Sequence, residues 1–361
     1  MKIVVLGLSL SSSWGNGHAT TWRALLQGVH ELGHETLFLE RRTPWYAAHQ
    51  DLADPTFCRL AFYDAPEEIE TRFAESLAGA DMVIVGSYVP DGVAVIDIAL
   101  RLAPGRVSFY DIDTPITVAA LKAGRDPYVA PRQIPQFDVY FSFSGGPILD
   151  EIEDRFEARD ARALYCCVDP ARYAPTGETP RWDLGYLGTY SDDRQPVLEK
   201  LLIEPARRLP HMRFVVAGPQ YPETIAWPAN IERIDHLPPA DHPAFYSAQR
   251  FTLNVTRADM ARAGYSPSVR LFEAGACGAP IISDVWRGID TLLRPEREIL
   301  LASETDDVVA RLTHMDEERR GDVAAAARAR ILAEHTGAAR ARSLLSAARP
   351  RDAPRAALVA D

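Results

Sequence analysis

The chain has 361 residues, 47% of them apolar and 25% charged, with a formal net charge of −11. That length fits two ordinary domains, each able to bury its own core, and the composition is that of a globular protein. The negative balance argues against a general nucleic-acid binder and gives no support to docking on anionic lipid. The start, Met1-Lys-Ile-Val-Val-Leu-Gly7, is too short and too interrupted for a signal peptide or a membrane span and reads as a first strand. Cys58, Cys166, Cys167 and Cys277 show no metal-ligand spacing, so reduced thiols and a cytoplasmic location are expected.

Apolar runs and helical periods then alternate almost throughout, which predicts parallel sheets covered on both faces. In the first half the pattern predicts strands at 2–7, 35–39, 82–86, 106–110, 138–142 and 162–166. Helices are expected at 19–32, 67–77, 92–102, 116–123 and 147–155. After the first strand comes a long loop, Ser11-Ser-Ser-Trp-Gly-Asn-Gly-His18, with two glycines, an aromatic and a histidine ahead of a helix. Tyr110-Asp-Ile-Asp-Thr-Pro115 and Phe143-Ser-Gly-Gly-Pro147 follow later strands on the same edge. Asp111 or Asp113 is also a fitting cap for the helix that follows, and His18 a fitting helix start. Trp14, Trp45, Tyr46 and Tyr88 lie on nearby loops, able to stack on a ligand or to pack.

The Pro- and Gly-bearing stretch 169–182 reads as a linker between residues 1–168 and a second domain at 183–348, with 349–361 a disordered tail. Strands are expected near 183–188, 213–217, 231–235, 252–255, 280–283 and 298–302, followed by Ala/Arg/Glu-rich helices from Thr305. In Gly185-Tyr-Leu-Gly-Thr-Tyr-Ser191 and Arg194, Gly188 permits a tight turn while Thr189, Ser191 and the guanidinium suit a diphosphate; a plain strand-to-helix turn has the same pattern. Gly218 after the next strand either admits a ligand or only makes a turn, and Arg257 after Asn254-Val-Thr is a further phosphate candidate.

The most informative stretch is Ser266-Pro-Ser-Val-Arg-Leu-Phe-Glu-Ala-Gly-Ala-Cys-Gly-Ala-Pro-Ile-Ile-Ser-Asp284. Pro267 disfavours helix at Ser266, Ser268 is a good N-cap, and Gly278 is placed to stop a helix begun at Val269. Such a helix N-terminus suits a phosphate, and Glu273, one turn in, is placed to accept hydrogen bonds from ribose hydroxyls. A dinucleotide enzyme is a rival, with Gly15-Asn-Gly17 as the glycine turn and Glu40 as the ribose acid. Against it, the loop is too long for the tight turn of that motif and Thr20 stands where its third glycine belongs.

Glu273, the small-residue turn after it and Gly278-Ala-Pro-Ile-Ile282 resemble the nucleotide-sugar site of GT-B glycosyltransferases. More closely, residues 266–284 are similar to the C-terminal domain of CgeB-like (spore maturation protein type) members. The resemblance covers most of the chain and implies an α/β, GT-B-like architecture, two doubly wound Rossmann-type domains facing a cleft. It implies transfer of a sugar from a nucleotide diphosphate sugar to a small-molecule, glycan or protein acceptor, without metal. Donor binding would fall to Gly188, Thr189, Tyr190, Arg194, Gly218, Arg257, Ser266, Ser268, Val269, Arg270 and Glu273. His18 would be the general base and Asp113 its supporting carboxylate. Trp14, Asn16, Gly17, Ser144 and Gly145 would meet the acceptor, although the 144–146 loop suits a donor pyrophosphate equally. One position departs: many retaining GT-B enzymes carry a second glutamate eight residues before the first, and here it is Tyr265. A sugar-nucleotide epimerase and a non-catalytic nucleotide-sugar-binding protein are the alternatives on the same scaffold.

Overall fold

The computed structural model describes residues 1–13 and 17–348, and the chain divides into two compact units. Unit 1 takes residues 1–143 and 149–164 and the chain from Gly337 onward; unit 2 takes 144–148 and 165–336. The stretch expected as a linker, 169–182, thus runs within unit 2, where Tyr173 is buried at 1% exposure.

Unit 1 carries seven parallel strands: β1 (Lys2–Gly7), β2 (Glu35–Arg41), β3 (Arg59–Tyr63), β4 (Met82–Gly86), β5 (Val107–Asp111), β6 (Tyr140–Ser142) and β7 (Ala161–Ala163). Their order in the sheet is β3-β2-β1-β4-β5-β6-β7. The order reverses between β1 and β4, which are paired with Ile3 opposite Met82. In an open parallel sheet that reversal leaves a crevice at the carboxyl ends of the strands, where ligands bind. β4 and β5 are buried at every residue, as expected of strands covered on both faces. β3 was not anticipated; it is an edge strand with only Tyr63 buried. The helix expected over 67–77 is two, Glu67–Arg72 and Ala74–Gly79, broken at Phe73 where φ is −123° and ψ 4°.

Unit 2 carries six parallel strands: β8 (Trp182–Leu187), β9 (Phe214–Ala217), β10 (Ile231–Ile234), β11 (Gln249–Asn254), β12 (Ile281–Ser283) and β13 (Leu300–Leu301). Their order is β10-β9-β8-β11-β12-β13, reversing between β8 and β11. The short helices His242–Ser247 and Ala258–Ala263 were not anticipated. The expected helix after the Ser266 loop is present at Val269–Ala276, with Gly278 at φ 74° just beyond its end.

Of the terminal helices, Thr305–His314 and Glu317–Glu334 belong to unit 2, whereas Gly337–Ser346 packs in unit 1 against the Gly17–Glu31 helix. That packing depends on two glycines. A Cβ built on Gly28 would lie 2.3 Å from the Gly337 carbonyl carbon, and one on Gly337 would lie 1.9 Å from the Ala24 oxygen. Backbone meets backbone here, and a side chain at either position has nowhere to go.

Candidate functional site

The carboxyl edge of the second sheet is organised around a residue that the sequence reading passed over. Asn254 ends β11 fully buried. Its Oδ1 accepts from Ser268 Oγ at 2.6 Å and Arg270 Nη1 at 3.0 Å, while its Nδ2 donates to Ser283 Oγ at 3.0 Å and Thr256 Oγ1 at 3.3 Å. Ser268 is the N-cap residue by backbone conformation, yet its side chain makes no capping bond because the hydroxyl is spent on Asn254. Asp284 secures the same corner, accepting from the Thr256 hydroxyl at 2.9 Å and from the Thr256 N–H at 3.2 Å. Burial raises its pKa, and the bonds from Thr256 only partly offset that.

The arginines expected to hold phosphate differ in how committed they are. Arg270 is buried at 8% exposure, stacks on Tyr186 at 4.7 Å and donates from Nε to the Leu187 carbonyl at 2.5 Å. It ties the end of β8 to the end of β11, and so acts as framework. Arg194 folds onto its own loop, with Nη2 to the Thr189 carbonyl at 2.7 Å and Nε to Ser191 Oγ at 2.9 Å. Arg257 is half-exposed with its Nε 3.7 Å from Asp193. Asp193 also accepts the Ala258 N–H at 3.0 Å and the Ser191 hydroxyl at 2.5 Å. Burial works to raise the Asp193 pKa, but those bonds and the two arginines hold it below its ordinary value.

Gly188 and Gly218 bring two loops into backbone contact: a Cβ on Gly218, at φ 137°, would lie 2.1 Å from the Gly188 oxygen. The Gly188 carbonyl accepts the Tyr221 hydroxyl at 3.1 Å, and Tyr221 stacks edge-on with Tyr190 at 5.5 Å. Arg233 lies 4.2 Å from the Tyr221 ring and donates to the Gly218 carbonyl at 3.0 Å. Thr189 is exposed at the tip of this loop, and Tyr190 donates to Asp192 at 2.6 Å.

Glu273 sits one turn into the Val269–Ala276 helix at 5% exposure. Tyr246 donates to its Oε2 at 3.3 Å, and His242 Nδ1 lies 3.9 Å away. Burial lowers the His242 pKa, against an opposing pull from Glu273. Ser144 and Gly145, expected at the acceptor, belong to unit 2: Ser144 Oγ donates to Ser266 Oγ at 2.8 Å, and the Gly145 N–H bonds the Tyr265 carbonyl at 2.9 Å. They brace the Ser266 loop.

In unit 1, Glu40 is 2% exposed and accepts the Leu10 and Ser11 N–H groups at 2.7 and 2.9 Å and the Ser9 and Ser11 hydroxyls at 3.1 and 2.7 Å. With its oxygens so engaged it organises the loop after β1, which removes the ribose acid that the dinucleotide reading needs. Asp51 holds the next residues, accepting the Ser13 N–H at 3.0 Å and Arg23 Nη2 at 2.6 Å. Although burial raises its pKa, these partners bring it down to about 2. Trp14 and Asn16 lie outside the described residues. Gly17 opens the helix exposed, with open space where a Cβ would stand.

His18, second in that helix, packs edge-on against Tyr88 at 5.2 Å. The Tyr88 hydroxyl donates to Asp113 Oδ2 at 3.0 Å. Asp113 starts the Thr114–Lys122 helix without a side-chain cap, so its carboxylate is turned to this group. Burial lowers the His18 pKa, and the Asp113 charge partly opposes that. Asp111 is fully buried and accepts from Tyr140 at 2.6 Å and Thr117 at 2.8 Å. Burial pushes it up to about 7 despite those bonds. Tyr88, whose φ of 64° is rare for a tyrosine, carries no sequence signal beyond being aromatic on a loop.

Two doubly wound parallel α/β units, the second with a buried glutamate one turn inside a helix at its switch point, define the fold of GT-B glycosyltransferases. Residues 194–346 match a family model described as glycosyl transferase-like. No curated protein matches the sequence. Among solved structures, sucrose-phosphate synthase from Thermosynechococcus elongatus is similar with TM-score 0.66 and 15% identity, over 96% of this chain and 98% of that one. Anabaena Alr3699/HepE in complex with UDP and glucose gives TM-score 0.68 and 12% identity over 96% and 98%. T4 phage BGT in complex with UDP-glucose gives 0.60 and 11% over 97% and 100%. Among the described residues, no helix is long and apolar enough to cross a membrane, and no cluster of three or more His, Cys, Asp or Glu is placed to hold a metal ion.

Proposed function

We propose that this chain is a glycosyltransferase of the CgeB-like type, moving a sugar from a nucleotide diphosphate donor to an acceptor hydroxyl without a metal ion or other cofactor. The observation that carries the reading is Glu273: a carboxylate buried one turn into a helix whose N-cap hydroxyl is diverted to Asn254. Glu273 would accept the ribose hydroxyls, and the helix end with Arg257 would take the diphosphate. The acceptor oxygen bonds the anomeric carbon as the bond from that carbon to the diphosphate oxygen breaks. The electron pair leaves with the nucleoside diphosphate, and the acceptor proton passes to His18. A His18 pKa lowered by burial keeps the imidazole neutral and competent below its ordinary value of 6.5. Two of the similar structures are complexes with UDP and glucose or with UDP-glucose, which makes UDP-sugars the first donors to try. A cytoplasmic location, with four free cysteines, belongs to the same reading.

The test is thermal shift with UDP, GDP, TDP, CMP and NAD(H), followed by turnover. One nucleoside diphosphate should raise the melting temperature, since a ligand that binds only the native state stabilises it. His18→Ala should keep that shift and lose turnover. A response to NAD(H) alone, or to nothing, overturns the reading, and a strict Mg²⁺ or Mn²⁺ requirement overturns its metal-independent part. A non-catalytic nucleotide-sugar binder is favoured by one observation, Tyr265 in place of the second glutamate. It predicts the shift without any turnover.

A further inference from the structure

We propose that Arg287 is a donor-binding residue, presented to the diphosphate on the ring of Tyr265; this rests on the donor reading above and assigns it a cation. The arginines at this edge are unequally available. Arg270 and Arg194 donate to protein carbonyls, and Arg257 lies beside Asp193. Arg287, in the loop after β12, is exposed, and its guanidinium lies over the Tyr265 ring, 5.6 Å from the centroid.

The platform beneath it is rigid. Tyr265 has φ 49°, a left-handed conformation that a tyrosine holds only where its surroundings impose it. Its N–H bonds the Arg287 carbonyl at 2.6 Å, and its own carbonyl accepts the Gly145 N–H at 2.9 Å. The ring fills the space beside two glycines: a Cβ on Gly146 would lie 2.3 Å from Cδ2, and one on Gly288 2.2 Å from Cδ1. Two loops are thereby fastened to the residue that immediately precedes Ser266, where the approach to the Val269–Ala276 helix begins. An arginine stacked on a fixed ring keeps its forked donors pre-oriented, and that fork matches phosphate oxygens. Tyr265 is the positioning residue and Arg287 the contact.

The experiment uses the full chain and calorimetric titration with UDP, GDP and TDP, each beside its monophosphate, and with inorganic pyrophosphate. Arg287→Ala should weaken the preferred diphosphate about 10- to 100-fold, weaken its monophosphate less, and leave the melting temperature of the free protein unchanged. Arg287→Lys should recover only part of the loss, because an ammonium lacks the fork. Tyr265→Phe should bind as wild type, since the ring and not the hydroxyl supports the cation; Tyr265→Ala should lose as much affinity as Arg287→Ala. Unchanged diphosphate affinity in Arg287→Ala, where Glu273→Ala abolishes binding, overturns this assignment and leaves the donor reading intact. Equal loss for mono- and diphosphate also overturns it. A wild-type chain that binds no nucleoside diphosphate sinks both.

Discussion

Replacing Glu273 by Gln is the most discriminating change at the proposed donor site, because that reading gives the carboxylate two separable duties. Inside the protein it accepts the Tyr246 hydroxyl at 3.3 Å, with His242 3.9 Å away, from a position only 5% exposed. Towards a ligand it would accept the two hydroxyls of a ribose. A Gln amide keeps one carbonyl oxygen for Tyr246, so folding should be nearly unaffected. It loses the charge and one acceptor, and a hydrogen bond to a charged group contributes roughly 1.5–3 kcal/mol. The nucleotide affinity should therefore fall about 10- to 100-fold, one factor of ten for each 1.4 kcal/mol. Calorimetric titration with the preferred nucleoside diphosphate reads this directly, with the melting temperature of the free protein as the control. His242 supplies an internal check: with the Glu273 charge gone, its already lowered pKa should fall further, as imidazole shifts in an NMR titration would record. Affinity retained within about twofold, in a variant whose His242 pKa has moved as expected, would refute the ribose role.

Three further outcomes follow from packing, hydrogen bonding and titration. Gly28→Ala on an exposed helix would add about 1 kcal/mol of stability. Here the added Cβ meets the Gly337 backbone at 2.3 Å, so denaturant unfolding should instead show a loss of about 1–3 kcal/mol as the final helix is pushed off. Asn254→Ala strips acceptors from the half-buried Ser268 hydroxyl and the buried Arg270 guanidinium together, and should cost about 2–4 kcal/mol by the same assay while weakening nucleotide binding. The pH dependence of unfolding should carry the sign of Asp111. Its folded pKa of about 7 lies above the ordinary 3.8, so the folded state binds the extra proton, and stability falls as pH rises from about 4 to about 7. Asp111→Asn, which can still accept from Tyr140 and Thr117, should flatten that slope, whereas an unchanged slope would assign it to another group.

The fold was legible where burial is two-sided. β1, β4, β5, β9 and β12 are apolar runs because both faces are covered, and their positions follow from the sequence within a residue or so. β3 was not, because Leu60-Ala-Phe-Tyr63 is a short apolar run without alternation, and periodicity alone does not tell such a run from a piece of helix. The short helices at 242–247 and 258–263 have too few residues for a period to show. The return of the last helix to unit 1 is specified by Gly28 and Gly337, and a glycine in a helix reads from sequence only as a weak point.

The site was legible by position and illegible by partnership. A glutamate one turn into a helix after a Ser-Pro-Ser loop is a local pattern, so Glu273 could be singled out. Whether an arginine faces a ligand depends on what distant segments offer it: Arg270 finds the carbonyl of Leu187, 83 residues away. The same holds for carboxylates. Glu40 collects four donors and Asp284 the N–H and hydroxyl of Thr256, which leaves them little capacity for anything that binds. Glu273 and Asp113, by contrast, each accept a tyrosine hydroxyl, from Tyr246 and Tyr88. A tyrosine holds a carboxylate in place while using only one of its acceptor sites. On the proposed reading Tyr246 and Tyr88 hold in place the acids that act on the donor ribose and on His18, and the saturated carboxylates are frame.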